Sequence, residues 1–110
     1  MERLVKGDIV VMHFPFSDLT GSKKRPAIVI AMPAGNDPIL CPITSKQTKG
    51  LYSVPLTEKE FKSGSLNQDS NIHPNKIFTA DTSTISYKIG TLKPGKTAKV
   101  VEAACKIIMN

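Results

Sequence analysis

Tryptophan is absent, tyrosine occurs twice and phenylalanine four times, too few rings for the aromatic platform on which RRM-type binders stack bases. A nucleic-acid site in this chain must therefore rest on charge and hydrogen bonds. Cysteine is equally scarce. Cys41 and Cys105 stand far apart, outside any CxxC or Cys/His cluster of metal-site spacing. Both are expected as buried thiols in a reducing compartment, where a bridge between them would be unusual. Long apolar runs are missing too. Met1 to Lys6 lacks the apolar core of a signal peptide, and no stretch approaches the roughly 18 residues of a membrane span. A cytoplasmic protein without a membrane segment is expected. There is no Walker loop, no HExxH, no GxSxG and no carboxylate cluster of metal-binding spacing. An enzyme built here is expected to work without a metal, nucleotide or other cofactor.

Acidic residues are the minority: 9 Asp and Glu face 15 Lys and Arg, a net charge of +6. The isoelectric point is about 9.5. Such a surplus favours a polyanion through counterion release, or an acidic protein partner, without separating the two. The 110 residues leave room for one modest core, so a single domain spanning 1–110 is expected.

Apolar runs alternate with turn formers along the chain. Ile9 to Phe14 is rich in β-branched residues and stops at Pro15, a strand. Phe16 to Lys24 carries Asp18, Gly21 and Ser22, a loop. Ala27 to Met32 is continuously apolar, as a central strand would be. Pro38 to Thr44 forms a third strand, in which Pro42 argues for an edge or a bulge because it cannot donate to a ladder. A fourth strand covers Leu51 to Leu56. Thr57 to Phe61 is a short helix with Thr57 as N-cap and Glu60 completing a capping box, stopped by Gly64. Ile72 to Ala80 reads as another strand, and Asp81 to Ile85 as a turn or short helix. From Lys96, Val100, Val101, Ala104 and Ile108 fall at helical spacing, giving an amphipathic helix packed on the sheet. Short strands punctuated by proline and glycine, closed by one helix, make a mainly β protein with small α content. An SH3-like barrel with a C-terminal α-helix is the economical architecture.

Candidate chemistry is distributed. Arg25 stands at a loop-to-strand junction, Thr44 and Ser45 just past the next strand, and His73 and Asn75 near a later one. In a small barrel these junctions can meet on one rim. Such a set suits RNA cleavage, since RNA carries its own nucleophile in the 2′-hydroxyl. The reaction then needs a proton carrier and a cation for the charge on phosphate. Arginine's fork matches phosphate oxygens, and a hydroxyl can fix phosphate or ribose. An imidazole such as His73 titrates near neutrality. Asn75 cannot act as a base. His13 is expected to be structural, and Phe14, Phe16 and Phe78 to be core.

At these residues a family resemblance emerges. Gly7-Asp8-Ile9-Val10, Phe14-Pro15-Phe16-Ser17-Asp18, Lys24-Arg25-Pro26-Ala27-Ile28-Val29-Ile30 and Pro42-Ile43-Thr44-Ser45 look like successive signatures of the MazF/PemK toxins. Lys76 to Asp81 and Ile89 to Leu92 resemble that family's last strand and the approach to its C-terminal helix. The resemblance covers nearly the whole chain in order. It implies an SH3-like barrel, a homodimer, and a sequence-selective, metal-independent endoribonuclease of single-stranded RNA. It also implies neutralisation by an antitoxin whose acidic, disordered segment folds along the toxin. The family's active-site positions fall on Arg25, which would stabilise the phosphorane-like transition state, and Thr44, which would hold the scissile phosphate. His73 joins them as a candidate acid or base. Some relatives carry arginine and aspartate where this chain has His73 and Asn75. Asp18, Lys23, Lys24, Ser45, Lys46, Asn75 and Thr79 are the candidate RNA contacts, with Lys49 nearby. The alternative is a catalytically silent barrel binding a protein or nucleic-acid target, as the related gyrase-poisoning toxins do. A plain nucleic-acid-binding barrel would account for the charge but not for the ordered signatures.

Overall fold

The computed structural model describes residues 3–14, 24–45 and 47–110. Its strands are β1 (Asp8–His13), β2 (Lys24–Ala31), β3 (Ile39–Ser45), β4 (Val54–Leu56), β5 (Phe61–Gly64), β6 (Ser70–Ile72), β7 (Phe78–Thr79) and β8 (Ile85–Leu92), followed by helix α1 (Pro94–Met109). They form one bent antiparallel sheet in the order β4-β6-β3-β2-β1-β8-β5, with β7 on β3. The mainly β barrel with a C-terminal helix expected from the sequence is the fold observed.

Strands β1, β2 and β3 are apolar on both faces, which explains their continuous rather than alternating runs. One face packs Ile9, Ile28, Ile30, Cys41 and Ile43 against Leu92 of β8 and Val100 of α1. The other packs Val10, Met12, Phe14, Ala27, Val29, Leu40 and Ile85. Phe14 and Phe78 meet at 5.2 Å between ring centres, as core rings; Phe16 lies outside the described residues. Burial pushes the Cys41 thiol up to about 12. Cys105 is exposed rather than buried, and both thiols are free. It lies on the outer side of α1, one residue past buried Ala104.

The fourth strand is confined to Val54–Leu56 rather than starting at Leu51, and three further elements differ from expectation. Ile72 to Ala80 is not one strand: Pro74, which lacks an N–H and holds its predecessor extended, breaks it into β6 and β7. A turn closes between them where Lys76 N donates to His73 O at 3.1 Å. The short helix at Glu58–Glu60 is a single 3₁₀ turn that gives way to β5, well before Gly64. The third difference is Pro42, which lies inside β3 opposite Ala27. Its missing N–H is harmless there, because β7 pairs only Ile39 and Leu40 and the pairing with β6 starts at Ile43.

Two strands lacked an apolar signal. β8 mixes Ser86, Lys88 and Gly90 with its apolar residues, and β5 ends on Gly64 at φ +76. Gly64 presses against the backbone of Ile89 and Gly90, where a Cβ would have no room. Helix α1 starts two residues earlier than its periodicity indicated, because Pro94 suits the first helical turn. Its apolar stripe outruns the sheet: Val100 and Ala104 are buried, whereas Ile108 is 67% exposed.

Candidate active site

Strand register brings the candidate residues together. Ala27 pairs with Pro42, and Thr44 with Asn71. His73 N donates to Pro42 O at 3.0 Å, extending the β3–β6 register to His73 opposite Pro42. Cross-strand partners share a face, and so do residues two apart on one strand. Arg25, Thr44 and His73 therefore belong to one face of three adjacent strands. The β2–β3 pairing reaches this end of the sheet at Ala27 and Pro42, two residues before Arg25 and two before Thr44. Arg25 is exposed, Thr44 half-buried and His73 only 3% exposed.

Thr44 and His73 touch. Thr44 Oγ1 lies 2.6 Å from His73 Nε2 and 3.1 Å from the carbonyl oxygen of Thr48. Thr48 is held in turn by its N–H, which donates to Ser45 O at 3.0 Å. The ring is covered from the side of Gly50, where an added Cβ would stand 3.8 Å from Nδ1. Burial lowers the His73 pKa, and the charge of Lys76 lowers it further. Both favour the neutral ring.

The remaining candidates scatter. Lys24 and Ser45 are exposed at the same end of the sheet, but strand alternation turns Ser45 to the face opposite Thr44. Asn75 is exposed in the turn after His73. Thr79 pairs with Ile39, which lies five residues, roughly 16 Å at about 3.3 Å per residue, back along β3 from Thr44. It lines a cavity of about 600 Å³ with His13, Phe14 and Asp81, to which neither Arg25 nor Thr44 contributes. His13 is exposed at that cavity's edge. Asp18, Lys23 and Lys46 lie outside the described residues. Sequence reasoning missed Thr48, Gly50 and Asn71. Thr48 acts through its carbonyl, which no side-chain pattern announces. Asn71, buried, donates through Nδ2 to Ser45 O at 3.3 Å and so steadies the end of β3.

Among the described residues, no three His, Cys, Asp or Glu side chains are grouped to hold a metal ion, and no helix is long and apolar enough to cross a membrane. Residues 5–108 match the family described as PemK-like, MazF-like toxin of type II toxin-antitoxin system. The chain belongs to this family. No curated protein matches the sequence. Among solved structures, the toxin's fold is similar to MazF (Form-I) from Deinococcus radiodurans: TM-score 0.74, 18% identity, 96% of each chain covered. It is similar also to the Mycobacterium tuberculosis toxin MazF-mt6, with TM-score 0.70, 20% identity, and 93% of this chain and 96% of that one covered. A third is an endoribonuclease in complex with its cognate antitoxin from a mycobacterial species, with TM-score 0.71, 12% identity, and coverage of 97% and 96%. At such identities these likenesses establish the toxin's fold and nothing further.

Proposed function

We propose that this toxin is an endoribonuclease that cleaves single-stranded messenger RNA at selected sequences, without a metal ion, by attack of RNA's own 2′-hydroxyl. The observation that carries the reading is Thr44 hydrogen-bonded to a buried His73 on the face that Arg25, exposed two residues before Ala27, also belongs to. The 2′-oxygen forms a bond to phosphorus as the bond to the 5′-oxygen breaks. The 2′-hydroxyl gives up a proton and the departing 5′-oxygen gains one. The products are a 2′,3′-cyclic phosphate and a 5′-hydroxyl. Arg25, always charged and exposed, offers two parallel N–H donors to the non-bridging oxygens as their charge rises. Thr44, half-buried, fixes one of those oxygens. Lys24, Ser45, Asn75 and Thr79, together with Asp18, Lys23 and Lys46, are proposed contacts to the rest of the strand. The net charge of +6 supports both the RNA and the second proposed partner, an antitoxin with an acidic, disordered segment. A homodimer is the proposed assembly, and the cytoplasm, where messenger RNA and antitoxin meet, the proposed compartment.

The test is incubation of the purified protein with a long unstructured RNA in EDTA, beside Arg25→Ala. Discrete cuts are expected, slowed on the order of 10²-fold or more in the variant, as for loss of one transition-state donor. Intact RNA with both proteins would instead favour a silent binding module on this fold, and a 5′-phosphate product would overturn the chemistry.

A further inference from the structure

We infer that His73 is a positioning residue that acts through Thr44: its Nε2–H donates to Thr44 Oγ1, so that the threonine's single proton is presented to a phosphate oxygen of bound RNA. The inference rests on the ribonuclease reading and narrows it. His73 acts behind Thr44 and is not an acid or base that meets the substrate.

A count of protons carries the argument. Thr44 Oγ1 owns one hydrogen and has two polar partners among the described residues. The carbonyl of Thr48, at 3.1 Å, can only accept. While the hydroxyl donates there, the 2.6 Å contact to His73 Nε2 is a hydrogen bond only if Nε2 carries the proton. The opposite tautomer would consume the threonine's proton on the imidazole and leave Nδ1–H to be satisfied. The ring makes no other hydrogen bond among the described residues, and a Cβ added at Gly50 would stand 3.8 Å from Nδ1. An Nε2–H ring with a bare Nδ1 fits these surroundings.

When a phosphate oxygen arrives, the hydroxyl turns from the longer bond to Thr48 and donates to the phosphate. The shorter bond from Nε2–H stays in place and polarises it. A chain of donors then runs from the ring through Oγ1 to the developing charge. Burial closes the alternative. The ring is 3% exposed, and the nitrogen nearest the site is already engaged by Thr44.

The test combines a spectroscopic and a kinetic arm. In free protein, the ¹⁵N shifts of the His73 ring at pH 8 should show a protonated Nε2 and a bare Nδ1, altered by Thr44→Val. For cleavage, His73→Leu should lower kcat by on the order of tenfold to a hundredfold, the cost of removing a partner that orients a site group, with KM little changed. His73→Gln, whose amide nitrogen can donate from about the same place, should restore most of it. In a Thr44→Val background His73→Leu should cost nothing more, because the two act as one unit. Thermal unfolding would check that each variant is folded. A full further loss in the double variant, wild-type kcat in His73→Leu, or a bare Nε2 would each overturn the inference. If the wild-type protein cuts no RNA, the ribonuclease reading fails, and the ring shifts still decide the tautomer.

Discussion

His73 is a buried imidazole whose Nε2 lies 2.6 Å from Thr44 Oγ1. From the chain alone it was an imidazole near the start of a strand, eligible as acid or base because such groups titrate near neutrality. Folding buries it and points its ring at Thr44, which no one-dimensional pattern conveys. Burial, aided by Lys76, lowers its pKa, with a consequence for stability. The unfolded chain binds the proton at the ordinary value near 6.5, whereas the folded ring resists it until lower pH. As pH falls through 6.5 and below, the unfolded state therefore takes up more protons, and His73 weakens the fold. Above 6.5 both states are neutral and the effect vanishes. Urea unfolding of the wild type and His73→Gln between pH 8 and 5 should show their stability difference shifting against the wild type on the acid side. A difference that stays constant with pH would contradict this.

At the scale of elements, legibility followed burial. β1, β2 and β3 were plain in the sequence because both of their faces are covered by core. β8, equally central to the sheet, was missed because its outward positions are polar and Gly90 is needed for the close approach of β5. The alternation of apolar and polar residues weakens when one face is wet and the partner strand crosses tightly. The Thr57–Glu60 signal did survive, since a capping box is local chemistry. Glu60 Oε1 accepts the Thr57 N–H at 2.7 Å, and Oε2 lies 3.0 Å from Lys96 Nζ at the start of α1. Desolvation works against the charged form of Glu60, yet the Thr57 N–H and Lys96 outweigh it and hold the carboxylate below its ordinary value. One side chain thus ties the 3₁₀ turn to the helix. Glu60→Ala should cost about 1 kcal/mol, the scale of a lost cap, measured by denaturant unfolding. No loss would show that the tie between these elements contributes nothing.

At the scale of the molecule, the site arises from the order of strands. Arg25, Thr44 and His73 are distant in sequence, yet β2, β3 and β6 are neighbours, so three unremarkable strand ends become one face. The ordered signatures pointed to those ends, while the register supplied their alignment. What the sequence withheld was the contact between Thr44 and His73, since a diagonal approach across two strands depends on where Pro42 and Pro74 interrupt the ladder. The net charge of +6 does not locate this face; in the proposed reaction it would draw RNA in, while Arg25 and Thr44 would act at the bond.

The central claim, that RNA supplies its own nucleophile to this face, is tested most directly by a short RNA containing one mapped cut, prepared a second time with a single 2′-deoxynucleotide immediately 5′ of the scissile phosphate. The all-ribose strand should be cleaved to a 2′,3′-cyclic phosphate and a 5′-hydroxyl, and that bond should stay intact in the deoxy-substituted strand. Cleavage of both at similar rates would contradict it.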